Sequence, residues 1–278
     1  MDIRAIVREA LREDVPNGDI TTNSIVPEEM KGKAVLLIKE DCVISGIMVF
    51  VAVFEELGGV DVQFNVNDGD LVPANTEAAY LKGSLRSILT GERTALNLLM
   101  HLSGIATLTH KFVEMVEGTG VKIVDTRKTT PLLRELEKKA VRDGGGYNHR
   151  FSLSDGVLIK DNHIAVAGSV SEAVRLAKKS AHHLLKVEVE VQKLYQIEEA
   201  IEAGADVIML DNMEEEDIRR GIEIVRNRVP VEVSGGVNLE NIKRIATYKP
   251  DFISIGKITH SARSIDMSLE VLASKKGK

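Results

Sequence analysis

Polar residues that could bind ions stand directly after six short apolar segments of this 278-residue chain. In chain order, the segments and the residues that follow them are 121–124 with Arg127 and Lys128, 157–159 with Lys160, 187–189 with Glu190, 207–210 with Asp211, 231–233 with Ser234, Gly235 and Gly236, and 252–255 with Gly256 and Lys257. Helical patterns separate the segments, and this alternation predicts a parallel α/β sheet or barrel. The carboxyl ends of parallel strands share one rim, where active sites of such folds lie. We therefore expect these residues to form one site for a multiply anionic ligand that carries phosphate.

Two adjacent cations, Arg127 and Lys128, follow the first segment. Arginine can bind a planar carboxylate through two parallel hydrogen bonds, and lysine adds a mobile point charge. Thr130 and Pro131 are typical of a helix start, as N-cap and first helical residue. That interpretation does not explain the two cations, so an anion site is favoured over solvated surface charge.

Three consecutive glycines, 144–146, precede His149 and Arg150. A glycine run by itself indicates only a flexible end of a helix. The two residues that follow it favour a loop that covers a ligand. Lys160, at the end of the second segment, is a further candidate for the same ligand, and His163 is open to a functional or a structural interpretation.

Carboxylates alternate with valines in the third segment, where Glu188 and Glu190 share one face. An unpaired carboxylate on an inward face is costly, so each needs a partner. Glu190 and Asp211, at neighbouring strand ends, form a pair that could coordinate Mg²⁺ or accept hydrogen bonds from sugar hydroxyls. No spacing of histidine and cysteine suggests zinc.

Glycine turns end the last two segments, at Ser234–Gly236 and at Gly256. Backbone N–H groups at such turns and at helix N-termini bind phosphate, and the late strands of α/β barrels commonly carry this site. A plain connection between strand and helix is the alternative for either turn. Two such turns on successive strands favour phosphate.

Composition excludes several classes of protein. The net charge of −6 argues against a nucleic-acid or anionic-membrane partner. Cys42 is the single cysteine, so no intrachain disulfide is expected, as in a reducing cytoplasm. The N-terminus does not resemble a signal peptide, and the longest apolar run, 47–54, is far shorter than the ~18 residues of a membrane span. We expect a cytoplasmic protein.

Three regions follow from the patterns along the chain. Residues 1–102 are predicted as an N-terminal α+β open sandwich domain, with a long helix from 84 to 118 that breaks near Ser103 and Gly104. Residues 103–260 are predicted as the catalytic domain of about six βα units, well short of the ~250 residues of a complete eightfold barrel, so the barrel is reduced or the sheet is open. Residues 261–278 are predicted as a helix that closes against the N-terminal domain.

Seven ordered blocks of the sequence resemble the quinolinate phosphoribosyltransferases. The blocks are Gly18–Thr22 (GDITT), Gly91–Asn97 (GERTALN), Asp125–Pro131 (DTRKTTP), His149–Arg150 (HR), Ile159–His163 (IKDNH), Leu210–Asn212 (LDN) and Ser234–Gly236 (SGG). The resemblance covers nearly the whole chain. It implies an open sandwich plus an irregular α/β barrel, and a homodimer or higher homo-oligomer whose active site lies at the subunit interface. It also implies the joining of quinolinate to phosphoribosyl pyrophosphate in NAD synthesis, which yields nicotinate mononucleotide, CO₂ and pyrophosphate.

The resemblance also assigns roles to individual residues. Those of the pyridine dicarboxylate pocket are Arg127, Lys128, His149, Arg150 and Lys160, with Arg93 reaching in from the partner subunit. Thr126 and His163 are further expected substrate-binding residues. Glu190 and Asp211 match the ribose and magnesium carboxylates. The phosphate turns are Ser234, Gly235 and Gly236, and Ile255, Gly256 and Lys257. The expected catalytic residues are Lys128, Lys160, Glu190 and Asp211, with Mg²⁺ as cofactor.

Two other functions are compatible with the same residues. One is a related phosphoribosyltransferase for another pyridine or pyrimidine acid, against which the number of cations argues. The other is a catalytically silent phosphosugar-binding protein of the same fold. The presence of both Glu190 and Asp211 argues against a silent protein.

Overall fold

A computed structural model describes residues 2–272 of the chain. In chain order its elements are α1 Ile3–Asp14, α2 Ile20–Ile25, β1 Lys31–Ile38, β2 Cys42–Val43, α3 Ile47–Leu57, β3 Val60–Phe64, β4 Leu71–Val72, β5 Thr76–Ser84, α4 Leu85–Met115, β6 Lys122–Val124, α5 Arg134–Asp143, β7 Val157–Ile159, α6 Asp161–Ala167, α7 Val170–Ser180, β8 Val187–Val191, α8 Tyr195–Glu202, β9 Val207–Asp211, α9 Glu215–Val225, β10 Val231–Ser234, α10 Ile242–Thr247, β11 Phe252–Ser254, α11 Lys257–His260 and β12 Met267–Leu272. No helix among these residues is long and apolar enough to cross a membrane.

The chain folds into two compact units. Within the described residues, the first unit comprises 2–110, 130–145 and 261–272, and the second comprises 111–129 and 146–260. Residues 130–145, which include α5, therefore group with the N-terminal part of the chain. The predicted boundaries at 102 and 260 divide the chain into consecutive segments, whereas each compact unit combines separate segments of the chain.

An antiparallel sheet forms the centre of the first unit, with strand order β12-β1-β5-β3. α3 contacts both β3 and α1. Phe50 and Phe54 of α3 are fully buried, and their rings lie 5.2 Å apart. Burying a large apolar side chain stabilises a fold by roughly 1.5–3 kcal/mol, so α3 is a main anchor of this unit.

The predicted C-terminal helix is wrong for residues 267–272. They form β12, which pairs antiparallel with β1, with Leu36 opposite Leu269. Met267 and Leu269 are buried whereas Ser268 is not, so the segment starts with the two-residue alternation of a strand. Methionine, leucine and glutamate all favour helices intrinsically, and pairing with β1 overrides that preference. Residues 261–266 of the predicted helix are not helical either, and 273–278 lie outside the described residues.

The predicted break in the long helix is also wrong, because α4 runs unbroken through Ser103 and Gly104. The glycine at position 104 allows two backbone segments to pack closely. A Cβ atom at this position would lie 2.0 Å from the backbone oxygen of Arg263, in the segment that leads into β12. Glycine lets the two backbones approach at this point of the first unit.

Gly104→Ala is therefore expected to destabilise the protein by ~2 kcal/mol or more, because a rigid backbone atom must move to admit one methyl group. The free energy of unfolding in denaturant measures the effect. Gly156→Ala is the matched control, since a Cβ there meets nothing within 4 Å. Equal stability of the two variants would show that the close approach is unimportant.

Six parallel strands form the second unit, in the order β6-β11-β10-β9-β8-β7. Every neighbouring pair is parallel. β6 and β7 are the two edges, so the hydrogen-bonded ring is open between them. Tyr147 fills part of the opening, since it pairs with Val124 of β6. The α/β fold with about six strand–helix units is confirmed, with the gap at β6 and β7 as its irregularity.

The start of α5 differs from the prediction at Thr130 and Pro131. The helix begins at Arg134, with Leu133 as N-cap. A turn occupies residues 131–133, where Leu132 has a left-handed φ of 69°. The Thr130 N–H donates instead to the buried Glu137 carboxylate at 3.1 Å.

Candidate active site

A cavity of about 390 Å³ lies at the carboxyl ends of the barrel strands. Its lining comes from all six strands or the loops that follow them: Thr126, Arg127, Lys128, His149, Arg150, Leu158, Lys160, Glu190, Met209, Asp211, Glu232, Ser234 and Ser254. Residues from both edge strands line one cavity, which requires the sheet to curl into a barrel despite its open seam. The cavity brings together part of the set expected at this rim, namely Arg127, Lys128, Lys160, Glu190, Asp211 and Ser234.

Several predicted site residues do not line this cavity. They are Arg93, His163, Gly235, Gly236, Ile255, Gly256 and Lys257. Arg93 lies on α4 in the first unit, where it is exposed. Gly256 lies close to the cavity, because a Cβ on it would be 3.0 Å from Cδ of Lys128.

The two carboxylates at the ends of β8 and β9 differ in their partners. Glu190 is buried and accepts a hydrogen bond from Lys160 Nζ at 2.6 Å. Asp211 is half-buried, and no cationic side chain of residues 2–272 lies within ion-pair distance of it. Glu190 is thus fixed by a charge-assisted bond, whereas Asp211 offers its oxygens to a ligand.

Lys160 is positioned from its own backbone. Its N–H donates to Nδ1 of His163 at 2.9 Å, in the first turn of α6. His163 is itself exposed. His163 therefore fixes the backbone of Lys160, although it does not line the cavity itself.

A buried carboxylate fixes the segment that carries His149 and Arg150. Asp125, directly after β6, is fully buried. Its Oδ1 accepts the His149 N–H at 2.9 Å, and its Oδ2 accepts Nδ2 of Asn148 at 2.6 Å. Hydrogen bonds to a buried carboxylate are strong, so Asp125 anchors this loop after the flexible run of glycines.

Arg127 and Arg150 bring two positive charges to one wall of the cavity. Burial lowers the pKa of the Arg150 guanidinium, and repulsion by Arg127 lowers it further. Arg150 Nη1 also donates to the Gly156 carbonyl at 3.0 Å. Two guanidiniums on one cavity repel each other, so an anion between them would relieve their repulsion.

The Ser234 turn brings β9 and β10 close together. The Asn212 N–H donates to the Ser234 carbonyl at 2.9 Å. Gly235 has a φ of 80°, and a Cβ on it would lie 2.7 Å from the Asn212 nitrogen. Only glycine fits this turn, which leaves the Ser234 side chain at the rim.

Sequence reasoning missed four residues of the lining: Leu158, Met209, Glu232 and Ser254. Glu232 is 3% exposed and lies inside β10. Burial raises the pKa of its carboxyl, and the nearby Glu188 raises it further. The alternation of Val231, Glu232 and Val233 matches that of β8 and could have identified it as a second inward carboxylate.

A larger depression, of about 930 Å³, lies in the first unit. It is lined by Lys31, Lys33, Lys82 and Asp61, together with glycines 32, 59 and 83, Val60 and Leu272. It has a single carboxylate, that of Asp61. The chemistry-bearing residues are concentrated in the smaller cavity of the barrel.

The barrel cavity combines two groups with opposite charge. Arg127, Lys128, Arg150 and Lys160 offer cationic donors, and Glu190 and Asp211 offer carboxylates. Cationic donors and carboxylates on one lining are suited to transfer chemistry between two anionic substrates. An α/β barrel with such a cavity fits the class of transferases that act on anionic small molecules.

Comparison with known proteins identifies the family. The model described as "Quinolinate phosphoribosyl transferase, N-terminal domain" matches residues 19–103, and the one for the C-terminal domain matches residues 105–270. The chain belongs to the quinolinate phosphoribosyl transferase family, as its motifs predicted.

Relatives match over nearly the full length. The chain is 48% identical over 276 residues to a probable nicotinate-nucleotide pyrophosphorylase [carboxylating] of Methanocaldococcus jannaschii, covering 96% of each sequence. It is 41% identical over 275 residues to the nicotinate-nucleotide pyrophosphorylase [carboxylating] of Mycobacterium leprae, again covering 96% of each. The crystal structure of NadC from Streptococcus pyogenes is similar with a TM-score of 0.92 at 45% identity, covering 98% of this chain and 97% of that one.

Proposed function

We propose that the barrel cavity transfers the phosphoribosyl group of phosphoribosyl pyrophosphate to quinolinate. The products are nicotinate mononucleotide, CO₂ and pyrophosphate, in NAD biosynthesis. One observation carries the proposal: Arg127, Arg150 and Lys160 line the same cavity as Glu190 and Asp211. The family of the chain agrees with this activity.

The cationic wall suits quinolinate, which carries two adjacent carboxylates that repel one another. Arg127 and Arg150 offer planar groups for bidentate bonds, and Lys128 and Lys160 add point charges. Binding a dianion here offsets repulsion among the cations themselves. The pocket thus fixes the ring so that its nitrogen faces the phosphoribosyl donor, which lowers the entropic part of the barrier.

The carboxylates serve the phosphoribosyl side. Loss of pyrophosphate from ribose C1 leaves a carbon with oxocarbenium character, which Glu190 and Asp211 stabilise electrostatically from fixed positions. Lys160 holds Glu190 in place, so this lysine contributes both to the acid pocket and to the ribose pocket. The turns at Ser234–Gly236 and Ile255–Lys257 would bind the phosphates through backbone N–H groups.

A magnesium ion fits the oxygen donors at this rim. Asp211 has no ion-pair partner among residues 2–272, and Glu190 lies on the adjacent strand. Carboxylate oxygens with room for water are the ligands that Mg²⁺ takes. When bound, the metal would neutralise charge on the departing pyrophosphate.

Decarboxylation needs no separate electron-accepting cofactor. Once the bond between ring nitrogen and ribose has formed, the nitrogen is cationic and can stabilise negative charge at C2 as the bond to the carboxyl group breaks and CO₂ leaves. C2 then takes up a proton from solvent. The protein's part is to hold the ring and the second carboxylate in place. Arg127, Lys128 and Arg150 would keep the remaining carboxylate bound through this step.

A homodimer would give Arg93 a role in the active site. Arg93 is exposed on α4, and no acidic side chain of residues 2–272 forms an ion pair with it. It would complete the dicarboxylate pocket of the partner subunit. In that arrangement each active site needs two chains, with the same contacts repeated by twofold symmetry.

Selectivity for the diacid tests the proposal. With Mg²⁺ and phosphoribosyl pyrophosphate present, kcat/KM for quinolinate should exceed that for nicotinate by ~10²-fold or more, because a monoacid leaves buried cations without a partner. Released ¹⁴CO₂ and the nucleotide formed measure the reaction. Similar kcat/KM values for the two acids would contradict a pocket built for two carboxylates, and product from another acid alone would indicate a different transferase.

A further inference from the structure

A second cavity, of about 230 Å³, lies at the amino end of the same barrel. Its outer wall includes Lys186, Val207 and Phe252, which stand at the start of strands β8, β9 and β11. Three of its lining residues also line the candidate active site: His149, Arg150 and Glu232. They form a partition across the barrel, with the substrate cavity on one side and Glu188 on the other.

Hydrogen bonds at this partition fix the tautomer of His149. Its Nδ1 accepts the backbone N–H of Arg150 at 2.8 Å, so that nitrogen carries no proton. A neutral imidazole then has its proton on Nε2, which lies 2.9 Å from Oε2 of Glu188 and 3.7 Å from Oε2 of Glu232. Both ring nitrogens are thus engaged with the protein.

The same geometry excludes the other obvious use of this cluster. Ligand atoms of His149, Glu188 and Glu232 lie within 4.8 Å of one another, as in a metal site. A metal would need the lone pair of Nε2, and the Arg150 N–H forces the proton onto that nitrogen. The cluster therefore holds a proton between the ring and Glu188.

Glu188 and Glu232 are buried beside the His149 ring, and burying a carboxylate costs folding free energy. Glu188 Oε1 and Glu232 Oε1 are buried and accept no hydrogen bond from the described residues. Replacing the pair by apolar residues would remove that cost. What the pair provides is a fixed acceptor for His149 Nε2–H at the one place where the ring also holds Arg150.

We propose that Glu188 and Glu232 are positioning residues for quinolinate, acting through His149 on Arg150. Glu188 accepts the Nε2 proton, and Oε2 of Glu232 lies 3.7 Å from the same nitrogen. The ring then holds the Arg150 N–H and so directs the guanidinium into the cavity. His149 itself has no free ring N–H for the substrate, so its expected role as a pocket cation is replaced by this one. The inference rests on the proposed function for the identity of the ligand.

A matched pair of variants at Glu188 tests the proposal. Glu188→Met removes the acceptor at nearly constant length, and Glu188→Gln keeps an oxygen that can accept the Nε2 proton. The KM for quinolinate should rise ~10-fold or more in Glu188→Met, with the KM for phosphoribosyl pyrophosphate changed less than ~2-fold. Glu188→Gln should stay within ~3-fold of wild type for both substrates.

Glu232 is tested in the same way with Glu232→Gln and Glu232→Met. A smaller rise in the KM for quinolinate is expected for Glu232→Met, because the ring nitrogen lies farther from this carboxylate. A purely structural role for either residue would alter both KM values and kcat together, or would affect the Gln and Met variants equally. Either result would overturn the proposal.

The tautomer is measured separately from activity. Nitrogen-15 NMR of protein labelled at its histidines, with His149 assigned from the His149→Gln variant, should show Nδ1 unprotonated and Nε2 protonated in the free enzyme. A protonated Nδ1, or Mn²⁺ or Zn²⁺ that is retained by wild type and lost in Glu232→Gln, would contradict the inference. Wild-type protein with the expected tautomer and no turnover of quinolinate would contradict the proposed function alone.

Discussion

Asp211→Asn is expected to lower kcat by ~10²-fold or more, because it removes a fixed negative charge from the side of the cavity where positive charge develops at ribose C1. The affinity for quinolinate should change little, since the cations that bind the acid lie elsewhere on the lining. Asp211 is a cleaner test than Glu190. Glu190 also holds Lys160, so its replacement would disturb both substrates.

Steady-state kinetics gives kcat, and calorimetric titration with quinolinate gives the affinity of the same variant. Asp217→Asn is the matched control, because it makes the same chemical change on helix α9 outside the cavity lining. Undiminished kcat in Asp211→Asn would remove this carboxylate from the mechanism. A parallel loss of quinolinate affinity would instead place Asp211 in the acid pocket.

Much of the candidate site could be predicted because strand ends are visible in a sequence. A short apolar run followed by charge is a local pattern, and parallel strands bring all such ends to one rim. Arg127, Lys160 and Asp211 were found by that reasoning, and the structure places all three on one cavity. The family motifs then supplied the substrates, which the pattern alone left open.

The function of buried charges could not be predicted, because it depends on which atoms meet. Asp125 and Glu232 are single acids beside valines in the sequence, and the roles of both come from contacts with His149, which is more than 20 positions away from either. His149 was predicted as a cation of the pocket. Whether a histidine ring faces the substrate or the protein is decided by side-chain geometry that no local pattern contains.

Errors in the fold have a similar origin. The segment 267–272 is a strand because it pairs with β1, and position 104 inside α4 is a glycine because the Arg263 backbone packs against it. Both facts concern parts of the chain that are distant in sequence. Local preference predicted a helix in the first case and a helix break in the second, and tertiary contact reversed both.

Arg93→Ala and Lys160→Ala should each be nearly inactive alone and should restore activity when mixed. If Arg93 acts in the partner's pocket, one site of a mixed dimer carries both substitutions and the other carries neither. Random exchange makes half of the dimers mixed, each with one intact site of two, so activity should approach about a quarter of wild type. Exchange is followed with two affinity tags, and activity by nucleotide formation.

A second mixture provides the control, because Lys160 and Asp211 line the same cavity of one chain. In a dimer of Lys160→Ala with Asp211→Asn, each site contains one damaged barrel, so mixing should restore nothing. Restoration in the first mixture and none in the second separates a residue that acts across the interface from a general stabilisation of mixed dimers. If exchange is complete and the Arg93→Ala mixture stays inactive, Arg93 serves its own chain. The alternative is that Arg93 is a solvated residue of α4 with no role in the active site. Full activity of Arg93→Ala alone would indicate this, since an exposed charge contributes little to stability.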